Sequence, residues 1–349
     1  YSYPYFMVNN LYVVTPRGFC AGVEMAIKAL TWMLKIYDET IYCYHEIVHN
    51  DWIVKKFKEN NVKFVDNPHE LPDNAIVMLS AHGTAPNIEK EFKSISLTNV
   101  NSVCPLVTKV HHEAKRFSEE GHEIIYVGHK DHDEAVGAMG VAPESMNLIE
   151  NVDEIEEIDL KSDNVALLAQ TTLSMSDWEP IMLKAKDKYP NLKMPRKNDL
   201  CYATTNRQEA IINIAGEVDL VIVVGSSTSS NTNALVTSIN NIGKEAYRVE
   251  TTSDLKNINL ENKNVAITAG ASAPDHMVQN IVDYIKPKNI EFYIDTDETE
   301  YFPLPTELRT NIKNLSNFIS SMFPENTIKS ENGIKNDKRW SATKALASL

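Results

Sequence analysis

The chain is predicted to be an α/β protein with largely parallel sheets, on three observations. Short apolar, β-branched runs recur along its 349 residues: LYVVT (11–15), AIVMLSAHG (75–83), EIIYVGH (123–129), NVALLAQ (164–170), DLVIVVG (219–225) and NVAITAG (264–270). Stretches with helical spacing of apolar residues separate them, the pattern of strands joined by crossover helices. A loose repeat runs through the alternation. Three times a cysteine precedes an amphipathic helix: Cys20 before VEMAIKALTWML, Cys104 before PLVTKVHHEAKRF, and Cys201 before ATTNRQEAII.

The cysteine spacings of 84 and 97 residues suit three α/β units of domain size around a shared centre. Each unit carries strands ending in small polar residues or histidine: SAHG (80–83), then VGH (127–129) with QTT (170–172), then VGSS (224–227) with AGAS (269–272). The expected division is 1–104, 105–200 and 201–288, with a tail, 289–349, returning to the first domain. FPLPTELR (302–309) holds two prolines and cannot be a regular helix interior. Beyond about residue 325 the polar, Lys- and Asn-containing tail is expected to be loosely ordered.

Composition narrows the function. A net charge of −14 argues against non-specific binding to nucleic acid or anionic membrane, which wants excess Lys and Arg. A locally positive pocket for a small anion stays compatible with it. The chain has no apolar run of the length that spans a bilayer, and no basic-then-apolar leader precedes Tyr12. It begins at Tyr1 rather than methionine and is rich in Asn, Lys, Ile and Tyr. Together these lead us to expect a processed form in a plastid-type organelle such as the apicoplast, with a bacterial cytoplasm as the alternative.

Four cysteines are too few for a disulfide scaffold, so metal binding or catalysis in a reducing compartment is the better expectation. Cys43, inside the strand-like IYCYHE, reads as a buried structural thiol. Cys20, Cys104 and Cys201 each precede a helix, and Pro105 suits a first helical position. Thr205 and Gln208 have capping-box spacing. The positive end of a helix favours a thiolate, so these thiols are expected to have lowered pKa values. Three thiolates are one short of the four that hold electron-transfer clusters or structural zinc, and that leaves a position open for a substrate. Spacing alone is equally compatible with three unrelated buried cysteines.

The histidines fall in HEIVHN (His45, His49), SAHGT (His82) and GHKDHDE (His129, His132), the last ending on Glu134. Imidazoles donate hydrogen bonds to phosphate oxygens, and a nearby carboxyl can supply a proton. Any one of these segments alone also fits a purely structural role. VVGSSTSSNTNAL (223–235) reads as strand, Ser/Asn-rich turn and helix, a cradle for an anion at a helix N-terminus or simply a flexible loop. Ser272 in AGASAP repeats the theme. It is not a P-loop, and RGFCAG (17–22) lacks the third glycine of a dinucleotide fingerprint. HHE (111–113) lacks metalloprotease spacing and reads as structural.

Taken in order, RGFCAGV, HEIVHN, SAHGT, CPLVTKVH, GHKDHDE, QTTLS, DLCYATTNRQEA, GSSTSSNTNAL and TAGASAPD closely resemble the 4-hydroxy-3-methylbut-2-enyl diphosphate reductase family of the methylerythritol phosphate route to isoprenoids. The resemblance covers about residues 11–309. It implies a trefoil of three pseudo-threefold-related α/β domains around a [4Fe–4S] cluster with one open iron site. It places Cys20, Cys104 and Cys201 at the cluster-ligand positions. His49, His82, His132, Ser229, Ser230, Asn231 and Ser272 fall on positions that bind the diphosphate or shape its pocket. Glu134 falls on the proton-donor position, and Thr171 on the residue that orients it and the substrate hydroxyl. A ferredoxin-type protein is the implied electron donor. The rival expectation is a non-catalytic iron–sulfur or zinc sensor of a diphosphate ligand. A metal-dependent phosphatase would need more carboxylate ligands than these motifs carry.

Overall fold

The computed structural model describes residues 8–322 and 337–349. Along the chain its strands are β1 (Asn10–Thr15), β2 (Ile41–Tyr44), β3 (Val62–Val65), β4 (Ala75–Leu79), β5 (Ser96–Asn101), β6 (Glu123–Val127), β7 (Met146–Ile149), β8 (Val165–Ala169), β9 (Leu220–Val224), β10 (Glu245–Val249), β11 (Asn264–Ala269) and β12 (Asn289–Ile294). The helices are α1 (Ala21–Ile36), α2 (Asp51–Lys58), α3 (Pro86–Ile95), α4 (Pro105–Glu119), α5 (Asp133–Met139), α6 (Glu154–Glu157), α7 (Met175–Lys188), α8 (Tyr202–Ile214), α9 (Ser230–Asn241), α10 (Asp275–Ile285), α11 (Thr306–Met322) and α12 (Ala342–Ala347). All strand pairs in the three sheets are parallel, as the alternation predicts.

The chain divides into two compact units. One comprises 8–20 with 109–299, the other 21–108 with 300–322 and 337–349. The first holds two sheets. In the larger, ordered β10-β9-β11-β1-β12, both faces are covered. Leu220, Ile222 and Val224 of β9 join a layer with Met277, Val278, Ile281 and Ile285 of α10. Val221 and Val223, pointing the other way, join Ala210, Ile211 and Ile214 of α8 and Leu235 and Ile239 of α9. That is why β9 reads as an unbroken apolar run. The smaller sheet, β7-β6-β8, is built alike. Val165, Leu167 and Ala169 of β8 meet Trp178 and Ile181 of α7, and Ala166 and Leu168 meet α4 and α5.

The second unit holds the sheet β3-β2-β4-β5. Val77 and Leu79 of β4 pack on Phe92 of α3, and Cys43 of β2 is fully buried, the structural thiol expected. Burial pushes its pKa far above the ordinary thiol value. The chain's end docks on α1. Trp340 meets Trp32 edge-on at 5.5 Å, Asp337 meets the buried Lys28 at 3.5 Å, and the Ala342 N–H donates to Glu24.

Strand pairing differs from the division read from the sequence. β1 was placed in a first domain, 1–104, but lies between β11 and β12, its Asn10 opposite Asn264 and Asn289. β12, at the start of the expected tail, belongs to that same sheet. Partners some 250 residues away choose the sheet for β1, and no local pattern encodes them. The expectation of a loose tail fails for 337–349, which form a short 3-10 turn and α12 with Ala342, Ala345 and Leu346 buried. Its remainder, 325–336, lies outside the described residues.

Candidate active site

Three cysteines, three helix starts and three strand ends recur in one arrangement. Cys20 immediately precedes α1, Cys104 precedes α4 with Pro105 at its first position, and Cys201 is the N-cap of α8. Each cysteine N–H donates to a carbonyl two residues beyond the buried end of a strand. Cys20 bonds Ala271 after β11 at 3.2 Å, Cys104 bonds Ala81 after β4 at 3.0 Å, and Cys201 bonds Thr171 after β8 at 3.0 Å. The repeat glimpsed in the sequence is therefore physical: a strand end holds a cysteine at the mouth of a helix. Cys20 is held by the sheet that closes the chain, not by the one that follows it. The capping box read into Thr205 and Gln208 is not formed. Helix α8 starts at Tyr202, already before Thr205, with Cys201 as its cap, and Gln208 Oε1 instead accepts from the Met175 N–H at 2.8 Å.

Thr171 links one anchor to a carboxyl group. Its carbonyl takes the Cys201 N–H, while its own N–H and Oγ1 donate to Glu134 Oε1 and Oε2 at 2.6 and 3.0 Å. Glu134 is buried in the first turn of α5. Burial raises its pKa to about 7. The two Thr171 hydrogen bonds oppose the rise, and the charge on Asp199 adds to it. Such a carboxyl holds its proton near neutral pH and can still give it up, the profile of a general acid. The His132 ring caps the same helix: Nδ1 accepts the Glu134 N–H at 3.1 Å, so the neutral ring carries its proton on Nε2. Two residues before Cys201, Asp199 is raised to about 6 by burial, against the pull of Lys109, whose Nζ lies 3.0 Å away. Lys109 also donates to the Lys197 and Asn198 carbonyls at 2.8 Å.

The Ser/Asn segment is an ordered turn rather than a flexible loop. Ser229 caps α9 by accepting the Thr232 N–H, and Ser272 Oγ lies 3.5 Å from Ser229 Oγ. Ser230 Oγ accepts from Thr172 Oγ1 at 2.9 Å and from Gln170 Nε2 at 3.2 Å. Asn231 occupies on α9 the position Glu134 occupies on α5, and does the same work. Its Oδ1 accepts the Ala271 N–H at 2.8 Å, as Glu134 accepts from Thr171. Its Nδ2 donates to Thr204 Oγ1, which is hydrogen-bonded to Cys201 Sγ at 3.1 Å. Glycine is required behind this turn. A Cβ on Gly225 or Gly270 would fall 2.4 or 2.1 Å from Thr232 Oγ1.

The first unit thus brings together Cys20, Cys201, Glu134, Thr171, His132, Ser229, Ser230, Asn231 and Ser272. The second carries Cys104, His49 and His82. There His49 and His82 stack, with ring centroids 4.0 Å apart and planes within 14°. Glu46 Oε2 stands 3.5 Å from His49 Nδ1. A pair of imidazoles stacked this way suits one shared anionic neighbour. His45 lies apart, half-buried beside Asp66.

The lowered thiol pKa expected from the helix ends does not hold for Cys201. Burial, reinforced by the neighbouring Cys20, pushes it up to about 11 against the hydrogen bonds from Thr204. A buried thiol is costly to ionise unless a cation sits beside it, and iron would supply that charge. In the first unit, Cys20 and Cys201 are free thiols, each fixed at its backbone N–H, and their chemistry would suit a soft metal. Residues that the motifs did not single out are Arg207, Glu298, Thr204, Asp199 and Gln170. Arg207 left a signal, a charge on the apolar face of the helix that follows Cys201.

A protein-family model described as "LytB protein" matches residues 11–286. The 4-hydroxy-3-methylbut-2-enyl diphosphate reductase of Rhodopirellula baltica is 40% identical over 306 residues, covering 86% of this chain and 96% of that protein. The reductase of the same description from Actinobacillus succinogenes is 41% identical over 310 residues, covering 86% and 99%. Among solved structures, the E-1-hydroxy-2-methyl-but-2-enyl-4-diphosphate reductase of Plasmodium falciparum superposes with a TM-score of 0.85 at 35% identity, covering 88% of this chain and 99% of that one. A second reductase structure, described as the terminal enzyme of the non-mevalonate pathway, reaches 0.58 at 28% identity, covering 80% and 99%.

Proposed function

The chain belongs to the LytB family, and from that premise we propose that it is an oxidoreductase that removes the hydroxyl of 4-hydroxy-3-methylbut-2-enyl diphosphate. Two electrons and two protons convert the alcohol to isopentenyl or dimethylallyl diphosphate, and the hydroxyl leaves as water. The observation that carries the reading is Thr171, whose backbone and hydroxyl tie the buried acid Glu134 to the cysteine anchor at Cys201.

Cys20, Cys104 and Cys201 are the proposed ligands of a [4Fe–4S] cluster. When bound, that cluster supplies the electrons and a Lewis-acidic iron. The chain's own residues do the rest. Glu134 delivers a proton to the departing oxygen, and Thr171 aims its carboxyl. His49, His82 and His132 donate to the diphosphate oxygens. Ser229, Ser230, Asn231 and Ser272 shape the pocket around them. Binding energy from the diphosphate then goes into positioning the allylic carbon, which removes much of the entropic barrier.

The donor of the electrons is proposed to be a ferredoxin-type protein. The bacterial relatives support a bacterial setting, and the organellar setting rests on sequence composition. A sensor that merely bound a diphosphate would need no acid poised near neutrality, so the buried Glu134 favours the enzyme.

The test is Glu134→Gln in protein purified without oxygen. It is expected to keep its visible absorbance and lose turnover by roughly 10²- to 10⁴-fold, the range for a lost general acid. Near-normal turnover would remove the proton-donor role. A colourless, zinc-loaded protein that binds the diphosphate at full affinity would favour the sensor.

A further inference from the structure

Arg207 is the fully buried cation of the first unit that none of the steps above uses. Only 1% of it is exposed, although it sits on α8 only six residues after the Cys201 cap. Burying a guanidinium is costly, and here the two terminal nitrogens are hydrogen-bonded while the buried Nε has no partner among the described residues. Its Nη1 donates to the Ala203 carbonyl at 2.8 Å and to Glu298 Oε1 at 2.7 Å, and Nη2 donates to the Gly18 carbonyl at 2.9 Å. Gly18 lies two residues before Cys20. Its φ of +73° turns that carbonyl to the guanidinium, and a Cβ there would press on the Ala273 carbonyl at 3.3 Å.

The loop that presents Cys20 is pinned from other sides as well. Arg17 bonds Asp275 on α10 at 3.0 Å and Thr15 Oγ1 at 2.8 Å, and the Cys20 N–H reaches Ala271. Arg207 is the contact that ties this loop to the helix headed by Cys201. One forked side chain therefore spans the backbone next to one cysteine and the helix of the other.

We propose that Arg207, held in place by Glu298, is a positioning residue that sets the separation of Cys20 and Cys201 and so retains the iron–sulfur cluster. This rests on the reading that these cysteines are cluster ligands. A group that orients a metal ligand without touching the metal typically changes metal retention by one to two orders of magnitude. Lysine keeps the charge but not the fork, and so cannot reach Ala203, Glu298 and Gly18 together.

The experiment compares wild type, Arg207→Gln, Arg207→Lys, Glu298→Gln and, as a surface control, Arg116→Gln. Each is assembled without oxygen from iron and sulfide. The readouts are iron and sulfide per chain, the electron paramagnetic resonance of the reduced cluster, and the rate at which a chelator bleaches the visible absorbance. Arg207→Gln is expected to bleach about tenfold faster than wild type with an altered resonance, and Arg207→Lys to fall between. Glu298→Gln, which keeps the Gly18 contact, is expected to be milder, and Arg116→Gln to match wild type. Wild-type bleaching and resonance in Arg207→Gln would overturn the proposal. Should that variant not fold, Arg207→Lys decides: faster bleaching supports the clamp and a wild-type rate overturns it. Wild-type protein that takes up no iron or sulfide would instead refute the cluster reading itself.

Discussion

Burial lifts Glu134 from an ordinary carboxyl value of 4.5 to about 7, with a thermodynamic consequence apart from any reaction. The folded chain holds the proton more tightly than the unfolded chain. That contribution to stability is complete below pH 4.5 and is lost as the pH rises through 7. Glu134→Gln stays neutral throughout and keeps the shape that accepts the Thr171 N–H. Cluster-free Glu134→Gln is therefore expected to exceed wild type in stability at pH 8 by on the order of 3 kcal/mol, with the gap closing towards pH 4.5. Urea denaturation at the two pH values measures it, and a constant difference would refute the raised pKa. Glu134 and Thr171 were legible as motif residues. The hydrogen bonds between them were not, because 37 residues separate them in the chain.

Among the elements, the start of α9 shows how tightly a turn can be specified. Thr232 lies between Gly225 and Gly270 at the ends of β9 and β11. Gly270→Ala would bring a methyl into Thr232 from its hydroxyl to its Cα, and is expected to cost roughly 1–3 kcal/mol. Thr232→Ala in the same chain removes the first atoms struck and is expected to return part of that loss. A double-mutant cycle checks it, and strict additivity would mean the two do not touch. The same scale explains which strands the sequence displays. β1, β2, β4, β6, β8, β9 and β11 were all readable as apolar or strand-like runs. β3, β5, β7, β10 and β12 were not, and each lies at an edge of its sheet, whereas β8, also at an edge, is buried along its whole length. An edge strand is half-covered and need not be apolar throughout: in β12, Phe292 is 71% exposed.

For the molecule as a whole, the three cysteines are expected to act as one set. Cys20→Ala, Cys104→Ala and Cys201→Ala should each abolish most of the broad visible absorbance of protein purified without oxygen, while Cys43→Ala should keep it. A single variant of the three with wild-type colour would remove that cysteine from the ligand set. In the second unit, the chain's end closes over Lys28. This lysine is 2% exposed and pairs with Asp337, which also accepts from Tyr301 Oη at 2.5 Å. Asp337→Ala strands a buried ammonium and is expected to destabilise by roughly 3–5 kcal/mol. Lys28→Met together with Asp337→Ala removes both charges and should be milder, as thermal denaturation will show.

The sequence by itself determined what is local. It displayed the apolar strands, the helices that begin after Cys20, Cys104 and Cys201, Cys43 as a structural thiol, and the ordered motifs that carry the family likeness. Each depends on residues within a turn or two of one another, where periodicity and residue type suffice. Only the tertiary structure decided that β1 and Cys20 join the sheet of β9 and β11. It also decided that Thr171 binds both Glu134 and the Cys201 backbone, that Arg207 bridges to Gly18, and that Cys201 is raised rather than lowered. These depend on burial and on partners as far as 254 residues away in the chain, and the free energy of a buried charge or hydrogen bond is set by what surrounds it, not by its neighbours in the chain.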